Sequence, residues 1–256
     1  MIASIVIISS LVALSATFPS ADIARIVNGQ TAAVGQFPYQ ALLKIQLPQG
    51  RALCGGSLIN AQWVLTAGHC TQGATSFEIT LGAVDMEQQS EDGRVVLVAS
   101  EFYRHEKYNP LFASNDVAVV KLPNPVQFNE RIQPIQPTGS DSYADRTVVV
   151  SGWGLQKSGG NVAPKLQFAP LKVITNSKCM KTYNPLVIKK TTICAQGGEK
   201  QSPCNGDSGG PLVLEGSNVQ VGVVSFGHAS GCDRGLPGAF ARLTSFSDWI
   251  KQKTGM

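Results

Sequence analysis

The sequence predicts an all-β fold, an antiparallel barrel or sandwich that ends in one short helix. Three observations carry this. Runs of β-branched and aliphatic residues recur along the chain, and clusters of glycine, proline and asparagine separate them. No regular ten-to-fifteen-residue helical pattern lies between them, as an alternating βαβ order would require.

The opening segment stands apart from this pattern. Residues 2–14 are apolar and too short for a comfortable membrane span; small Ser15 and Ala16 follow, then a polar stretch from Pro19 to Asp22. This reads as a secretory signal, residues 1–16. No later stretch reaches eighteen apolar residues, so no stable membrane association is expected. Strands are then expected at residues 41–47, 63–66, 77–81, 94–99, 117–122, 147–150, 166–174, 211–214, 219–225 and 239–243. Residues 139–143 and 158–163 read as exposed turns, without a clean domain boundary. At the end the period changes: Ser245 can cap a helix, Asp248 stands at the capping-box distance, and Phe246, Trp249 and Ile250 form an apolar face for packing.

Composition narrows the class of function. With 256 residues, 43% hydrophobic and 15% charged, the chain can bury a substantial core and does not resemble a disordered polymer. Its 21 basic and 17 acidic residues leave +4 without a basic run, which argues against a nucleic-acid partner. The six cysteines are even in number and include no CxxC pair, so they fit an oxidising compartment better than a zinc finger or a thioredoxin motif. Six cysteines allow fifteen pairings, and three bridges are expected. His105 and His228 lack a partner at metal-ligand spacing, and Asp85 and Glu87 do not follow an EF-hand order, so loop packing or a substrate rim suits the histidines and a solvated loop suits the acids.

The sharpest local signal is Cys204-Asn205-Gly206-Asp207-Ser208-Gly209-Gly210-Pro211. Its glycines can expose a serine hydroxyl in a tight turn and aim backbone donors around it. The string also satisfies the loose GxSxG pattern of α/β-hydrolases, which would need a helix after the serine and an acid and a histidine further on. Here a strand pattern follows at once, and the only later histidine is His228. The reverse order fits better: His69 lies in Leu65-Thr66-Ala67-Gly68-His69-Cys70, and Asp116 precedes the run Val117-Ala118-Val119-Val120.

At these residues the chain closely resembles the chymotrypsin-like serine protease family. The resemblance runs from Ile26 to about Gly255 and includes Arg25-Ile26-Val27-Asn28-Gly29, Cys54-Gly55-Gly56-Ser57-Leu58-Ile59 and Ser151-Gly152-Trp153-Gly154 beside the three segments above. The segment from Cys232 to Phe240 is similar to insect chymotrypsins and crustacean collagenolytic serine proteases, although Gly238 lacks the acidic side chain of the crustacean enzymes. What the resemblance implies is a fold of two packed six-stranded antiparallel β-barrels with a short C-terminal helix. It implies a secreted, digestive serine endopeptidase in which Ser208 attacks, His69 acts as general base and then general acid, and Asp116 orients His69. The N–H groups of Gly206 and Ser208 would form the oxyanion hole.

Further expectations come from the same source. The bridges would be Cys54–Cys70, Cys179–Cys194 and Cys204–Cys232. Residues 17–25 would be an activation segment and 26–256 the protease domain, with cleavage between Arg25 and Ile26 creating an ammonium group that inserts beside Asp207. Ser202 would floor the primary pocket with Gly227 and Gly238 as walls, which favours large apolar or aromatic residues before the scissile bond over lysine or arginine. Ser225, Phe226 and Gly227 would receive the substrate backbone as an added strand, with Phe226 in place of the more usual tryptophan. No cofactor or metal is implied. The partners would be protein or peptide substrates, an activating protease and protein protease inhibitors, with the enzyme itself a monomer. A secreted protease-like binding protein without turnover is the alternative from another class.

Overall fold

The computed structural model describes residues 26–137, 142–198 and 200–256. The expected signal (1–16) and activation segment (17–25) lie outside these, as does part of the expected turn at 139–143. In chain order the strands are β1 Gln30–Thr31, β2 Gln40–Gln46, β3 Arg51–Asn60, β4 Trp63–Thr66, β5 Ser76–Leu81, β6 Val95–Ala99, β7 Glu101–Arg104 and β8 Ala118–Lys121. They continue with β9 Thr147–Gly152, β10 Gln167–Ile174, β11 Thr192–Gln196, β12 Pro211–Leu214, β13 Gln220–Phe226 and β14 Gly238–Arg242. A short helix α1, Asn176–Cys179, precedes β11, and α2, Ser247–Thr254, ends the chain.

These strands form two antiparallel sheets. In the second, β9 pairs with both β10 and β12, so β9 to β14 close into a six-stranded barrel, and β1 adds to β10 from outside. In the first, the order β6-β5-β2-β3-β4-β8-β7 is an open ladder. Its two edges are halves of one bent strand, because only Ser100 separates β6 from β7. One half pairs with β5 and the other with β8, so the sheet curls back on itself across a single residue.

Period-two burial drives each sheet. Phe77, Ile79 and Leu81 of β5 are fully buried with Leu43, Leu58, Leu65 and Val119. On neighbouring β6, Val95 and Leu97 pack against that core while Val96 and Val98 face outward. The second barrel encloses Val148, Val150, Leu171, Ile193, Leu212, Val221 and Phe240. Each fully buried aliphatic or aromatic side chain contributes roughly 1.5–3 kcal/mol relative to exposure.

Four strands depart from the expected set: β1, β3, β7 and β11 fall where none was expected. The reason is clearest in β3, where the Gly55-Gly56 pair interrupts the β-branched and aliphatic pattern that marks a strand. A Cβ at Gly56 would stand 2.8 Å from Val64 Cγ1 and 2.9 Å from Leu43 Cδ1, and one at Gly55 would stand 3.0 Å from Gly210 Cα. Glycine is there for close approach of backbones, a constraint with no periodic signature.

The helix start also needs correction. Ser245 lies in a preceding 3-10 turn, Leu243–Ser245, and no side chain caps α2. Burial sets the start instead: Phe246 and Ile250 sit in the first barrel's core, and the Ile250 N–H donates to the Phe246 carbonyl at 2.9 Å. Trp249 Nε1 and Lys253 Nζ both reach the Glu106 carboxylate, at 2.7 and 2.6 Å.

Where the barrels meet, the contacts turn polar. Ser57 Oγ of β3 donates to Gln220 Oε1 of β13 at 2.7 Å, and Ser151 Oγ of β9 donates to Gln40 Oε1 of β2 at 2.6 Å, all four residues being buried. Replacing Gln220 by methionine keeps the volume and strands the Ser57 hydroxyl, a loss of about 1–3 kcal/mol. Equilibrium denaturation should read that loss, and adding Ser57→Ala should recover part of it.

Candidate active site

The site is assembled along this seam. β4 runs into Gly68 and then the 3-10 turn His69–Thr71, which the Cys54–Cys70 disulfide ties to β3 and the Thr71 hydroxyl closes by donating to the Gly68 carbonyl at 2.8 Å. Asp116 enters from the segment before β8. Its carboxylate is 2% exposed and receives three donors: the His69 N–H at 2.8 Å, His69 Nδ1 at 2.8 Å and Ser225 Oγ at 2.5 Å. Such a carboxylate is desolvated, and the donors replace the lost water. Because Nδ1–H is committed to Asp116, the neutral ring keeps its Nε2 lone pair for a proton.

Ser208 occupies the turn opposite. Its carbonyl accepts the Gly55 N–H of β3 at 2.7 Å, with Cys70 Sγ 3.6 Å away, so the serine turn of the second barrel is clamped against the histidine turn of the first. Within the turn, the N–H groups of Asp207, Gly209 and Gly210 donate to Cys204, Val224 and Asp207 carbonyls. Those of Gly206 and Ser208 have no acceptor among the described residues. Two adjacent unsatisfied donors beside a serine can hold an oxygen that gains negative charge. Gly206 (φ 98) and Gly209 (φ 80) create this arrangement, and a Cβ at Gly209 would stand 2.6 Å from the Gly55 carbonyl oxygen. Among the described residues no hydrogen bond joins Ser208 Oγ to His69 Nε2. Contacts of this kind commonly tighten only with substrate bound.

Beneath the turn lies the Asp207 carboxylate, fully buried. It accepts the Gly154 N–H at 2.8 Å and the Cys204 N–H at 2.9 Å, yet burial outweighs these donors and pushes its pKa up to about 6. Its bulk explains the Ser151-Gly152-Trp153-Gly154 string: a Cβ at Gly152 or Gly154 would stand 2.1 or 2.4 Å from a carboxylate oxygen. Ile26 is buried in the second barrel's core, and Val27 forms a bridge with Ser202.

Next to Ser208 opens a cavity of about 510 Å³. Ser202, Ser225, Gly227 and the Cys204–Cys232 bridge line it. Among the described lining residues there is no aspartate, glutamate, lysine or arginine. The third wall residue read from the sequence, Gly238, does not line it: it is buried, and a Cβ there would stand 3.2 Å from Pro203 Cγ and 3.3 Å from the Phe240 ring. The β13–β14 register slips between Val224 and Phe226, which frees Ser225 from the regular ladder.

The remaining expected residues also find places. The bridges Cys54–Cys70, Cys179–Cys194 and Cys204–Cys232 are all formed. Cys54, Cys70 and His69 cluster within 4.8 Å, but both sulfurs are spent in a disulfide and offer no thiolate to a metal. His105 packs between Phe246 and Trp249, and burial lowers its pKa. In the acidic loop, Glu91 accepts the N–H groups of Val84 and Asp85 while Arg94 donates to the Asp85 and Gln88 carbonyls, so the loop closes around its own guanidinium. Asp233 accepts a hydrogen bond from Ser158 Oγ at 3.0 Å. The sequence reading missed the Ser225 hydroxyl as a partner of Asp116; no local pattern links residues 109 positions apart.

A buried aspartate on a histidine, facing a serine in a glycine turn between two antiparallel barrels, defines a serine protease of the trypsin type. Comparison with known proteins agrees. The family model described as Trypsin matches residues 26–250, and the chain belongs to that family and is a serine endopeptidase. It is 42% identical over 238 residues to a collagenase of Hypoderma lineatum, covering 91% of this chain and 88% of the relative. It is 36% identical to a brachyurin of Leptuca pugilator (90% of this chain, 99% of the relative) and 36% identical to a chymotrypsin-C of Rattus norvegicus (92% and 91%). A solved HL collagenase structure superposes with a TM-score of 0.83 at 41% identity, covering 90% of this chain and 99% of that one.

Ser225→Ala removes one of three donors to Asp116. The expected result is a fall in kcat of about tenfold, the size of one charge-assisted hydrogen bond partly realised in the transition state, with a smaller change in KM. Steady-state kinetics on one peptide substrate separates the two.

Proposed function

We propose that this endopeptidase cleaves after large apolar or aromatic residues, and that it is secreted as a precursor activated between Arg25 and Ile26. The observation that carries the specificity is the cavity beside Ser208, which has Ser202 in its lining and no fixed charge among its described lining residues. Such a pocket gives no counter-ion to lysine or arginine and rewards apolar burial. Gly238 contributes indirectly, since a side chain there would press on Pro203, which lines the cavity.

In the proposed reaction the Ser208 hydroxyl attacks the scissile carbonyl while His69 Nε2 takes its proton. The imidazolium is held by Asp116, and the Gly206 and Ser208 N–H groups receive the oxyanion. His69 then protonates the leaving amine, and a water repeats the cycle on the acyl-enzyme. With processed protein, a peptide carrying phenylalanine before the bond should be cut far faster than one carrying arginine. Ser202→Asp should shift that ratio towards arginine, and Ser208→Ala should abolish both activities. A faster arginine peptide with the unaltered protein would overturn the pocket assignment.

Activation is supported by a strained junction and an unpaired acid. Ile26 is β-branched yet held at φ 49, a left-handed conformation costing roughly 1–2 kcal/mol. Asp207 is buried without a cationic partner among the described residues, its pKa raised from 3.8 to about 6. Cutting the Arg25–Ile26 bond would release the constraint on Ile26 and supply an ammonium for that carboxylate. The intact precursor should therefore lose stability as pH rises from about 4 to about 6, because its folded form holds a proton that the unfolded chain has given up. The loss approaches 3 kcal/mol, and the pairing should shrink it in the processed form. Urea denaturation of both forms in the Ser208→Ala background measures this.

Secretion is supported by three disulfides and no free cysteine among the described residues, which fits an oxidising compartment. No helix among the described residues is long and apolar enough to cross a membrane. Digestion is the role proposed, with an activating protease and protein inhibitors as further partners of a monomer. The relatives named collagenase favour a second reading, cleavage of native collagen, which digestion of triple-helical collagen below its melting temperature tests.

A further inference from the structure

A second cavity, of about 370 Å³, lies beside the first and shares part of its wall: Phe226, Gly227, His228 and Ala229 line both. His228 is the one ionisable side chain of this shared wall. The Ser230 N–H, which can only donate, reaches His228 Nδ1 at 3.2 Å, and Ser230 Oγ lies 2.7 Å from the same atom. The neutral ring therefore carries its proton on Nε2, which has no acceptor among the described residues. The ring is held as well: Tyr183 packs against it at 5.7 Å between centroids and against Phe226 at 5.5 Å, while its hydroxyl donates to the Pro237 carbonyl at 2.5 Å. An N–H donor thus stands pre-oriented at the junction of two cavities.

The Asp233 carboxylate accepts the hydroxyl of Ser158, which lines the first cavity, and is paired with Arg234 at 3.8 Å. No carboxylate among the described residues lines either cavity. Phe112 lines the second cavity, and the Lys189 ammonium, itself outside the lining, lies 5.1 Å from the Phe112 ring centre. A substrate laid antiparallel along Ser225 to Gly227, with one side chain in the primary cavity, advances about 3.3 Å per residue. Its residue two positions further upstream then reaches Gly227 and His228.

We infer that His228 is a specificity-determining residue which selects, through its Nε2–H, an acidic side chain at the third position before the scissile bond. This rests on the proposed use of the Ser208 cleft as the substrate track. The test uses processed enzyme and peptides with glutamate, glutamine, leucine or lysine at that third position. The series is made twice, with phenylalanine and with arginine before the bond. A wrong primary-pocket assignment shows as the set that is cut, and the upstream preference is read within that set. Unaltered enzyme should favour glutamate over leucine by about tenfold in kcat/KM, with glutamine between them and lysine last. His228→Ala should bring the glutamate-to-leucine ratio to about two or below, and His228→Gln, which keeps an N–H donor, should retain part of it. A ratio near one in the unaltered enzyme, or one unchanged in His228→Ala, overturns the inference. So does a ratio abolished by Lys189→Ala and not by His228→Ala.

Discussion

The Asp116 carboxylate is the interaction on which the rest of the site depends. It is buried, so its charge is tolerable only while donors surround it, and those donors come from both barrels: His69 twice from the first, Ser225 once from the second. A single ionised group thereby fixes the histidine's tautomer and orientation together with the relative position of the two barrels. Neither barrel alone can complete it.

Its setting follows from how the barrels are joined. Each has its own apolar core, while the seam holds the buried pairs Ser57–Gln220 and Ser151–Gln40. Polar pairs of this kind add little net free energy, but they are costly to misalign, because each slipped register leaves desolvated groups unpaired. The Gly55 N–H to Ser208 carbonyl contact works in the same way at the point where the serine turn meets the histidine turn. Substrate chemistry placed on such a seam inherits its precision.

The serine turn shows the opposite economy, with constraint carried by missing atoms. Gly206 and Gly209 bend the chain so that two N–H groups are left without acceptors among the described residues, and Gly152 and Gly154 make room for the Asp207 carboxylate. That carboxylate is buried without a cationic partner among the described residues, and burial raises its pKa despite the two N–H donors it accepts. Cavity wall and open donors adjoin here, since Asp207 sits between Gly206 and Ser208, whose N–H groups have no acceptor among the described residues, and Ser202 to Asn205 just before them line the cavity.

Period-two runs and turn residues made most strands legible in the sequence, because burial on one face leaves that pattern wherever a strand borders a core. The ordered segments around His69, Asp116 and Ser208, together with the family resemblance, pointed to the three turns that meet at the seam and to the three cysteine pairs that form. Hidden from it were strand β3, whose glycines answer a close approach from another barrel, and the start of α2, set by burial of Phe246 and Ile250 rather than by Ser245. Also hidden were the Ser225 hydroxyl on Asp116, the exclusion of Gly238 from the cavity wall and the donor that Ser230 leaves on His228. The sequence by itself determined fold class and the order along the chain of the His69, Asp116 and Ser208 segments, since these depend on local pattern and residue chemistry. Only the tertiary structure decided which group touches which across the two barrels, because those contacts join residues far apart in the chain through packing that no local pattern records.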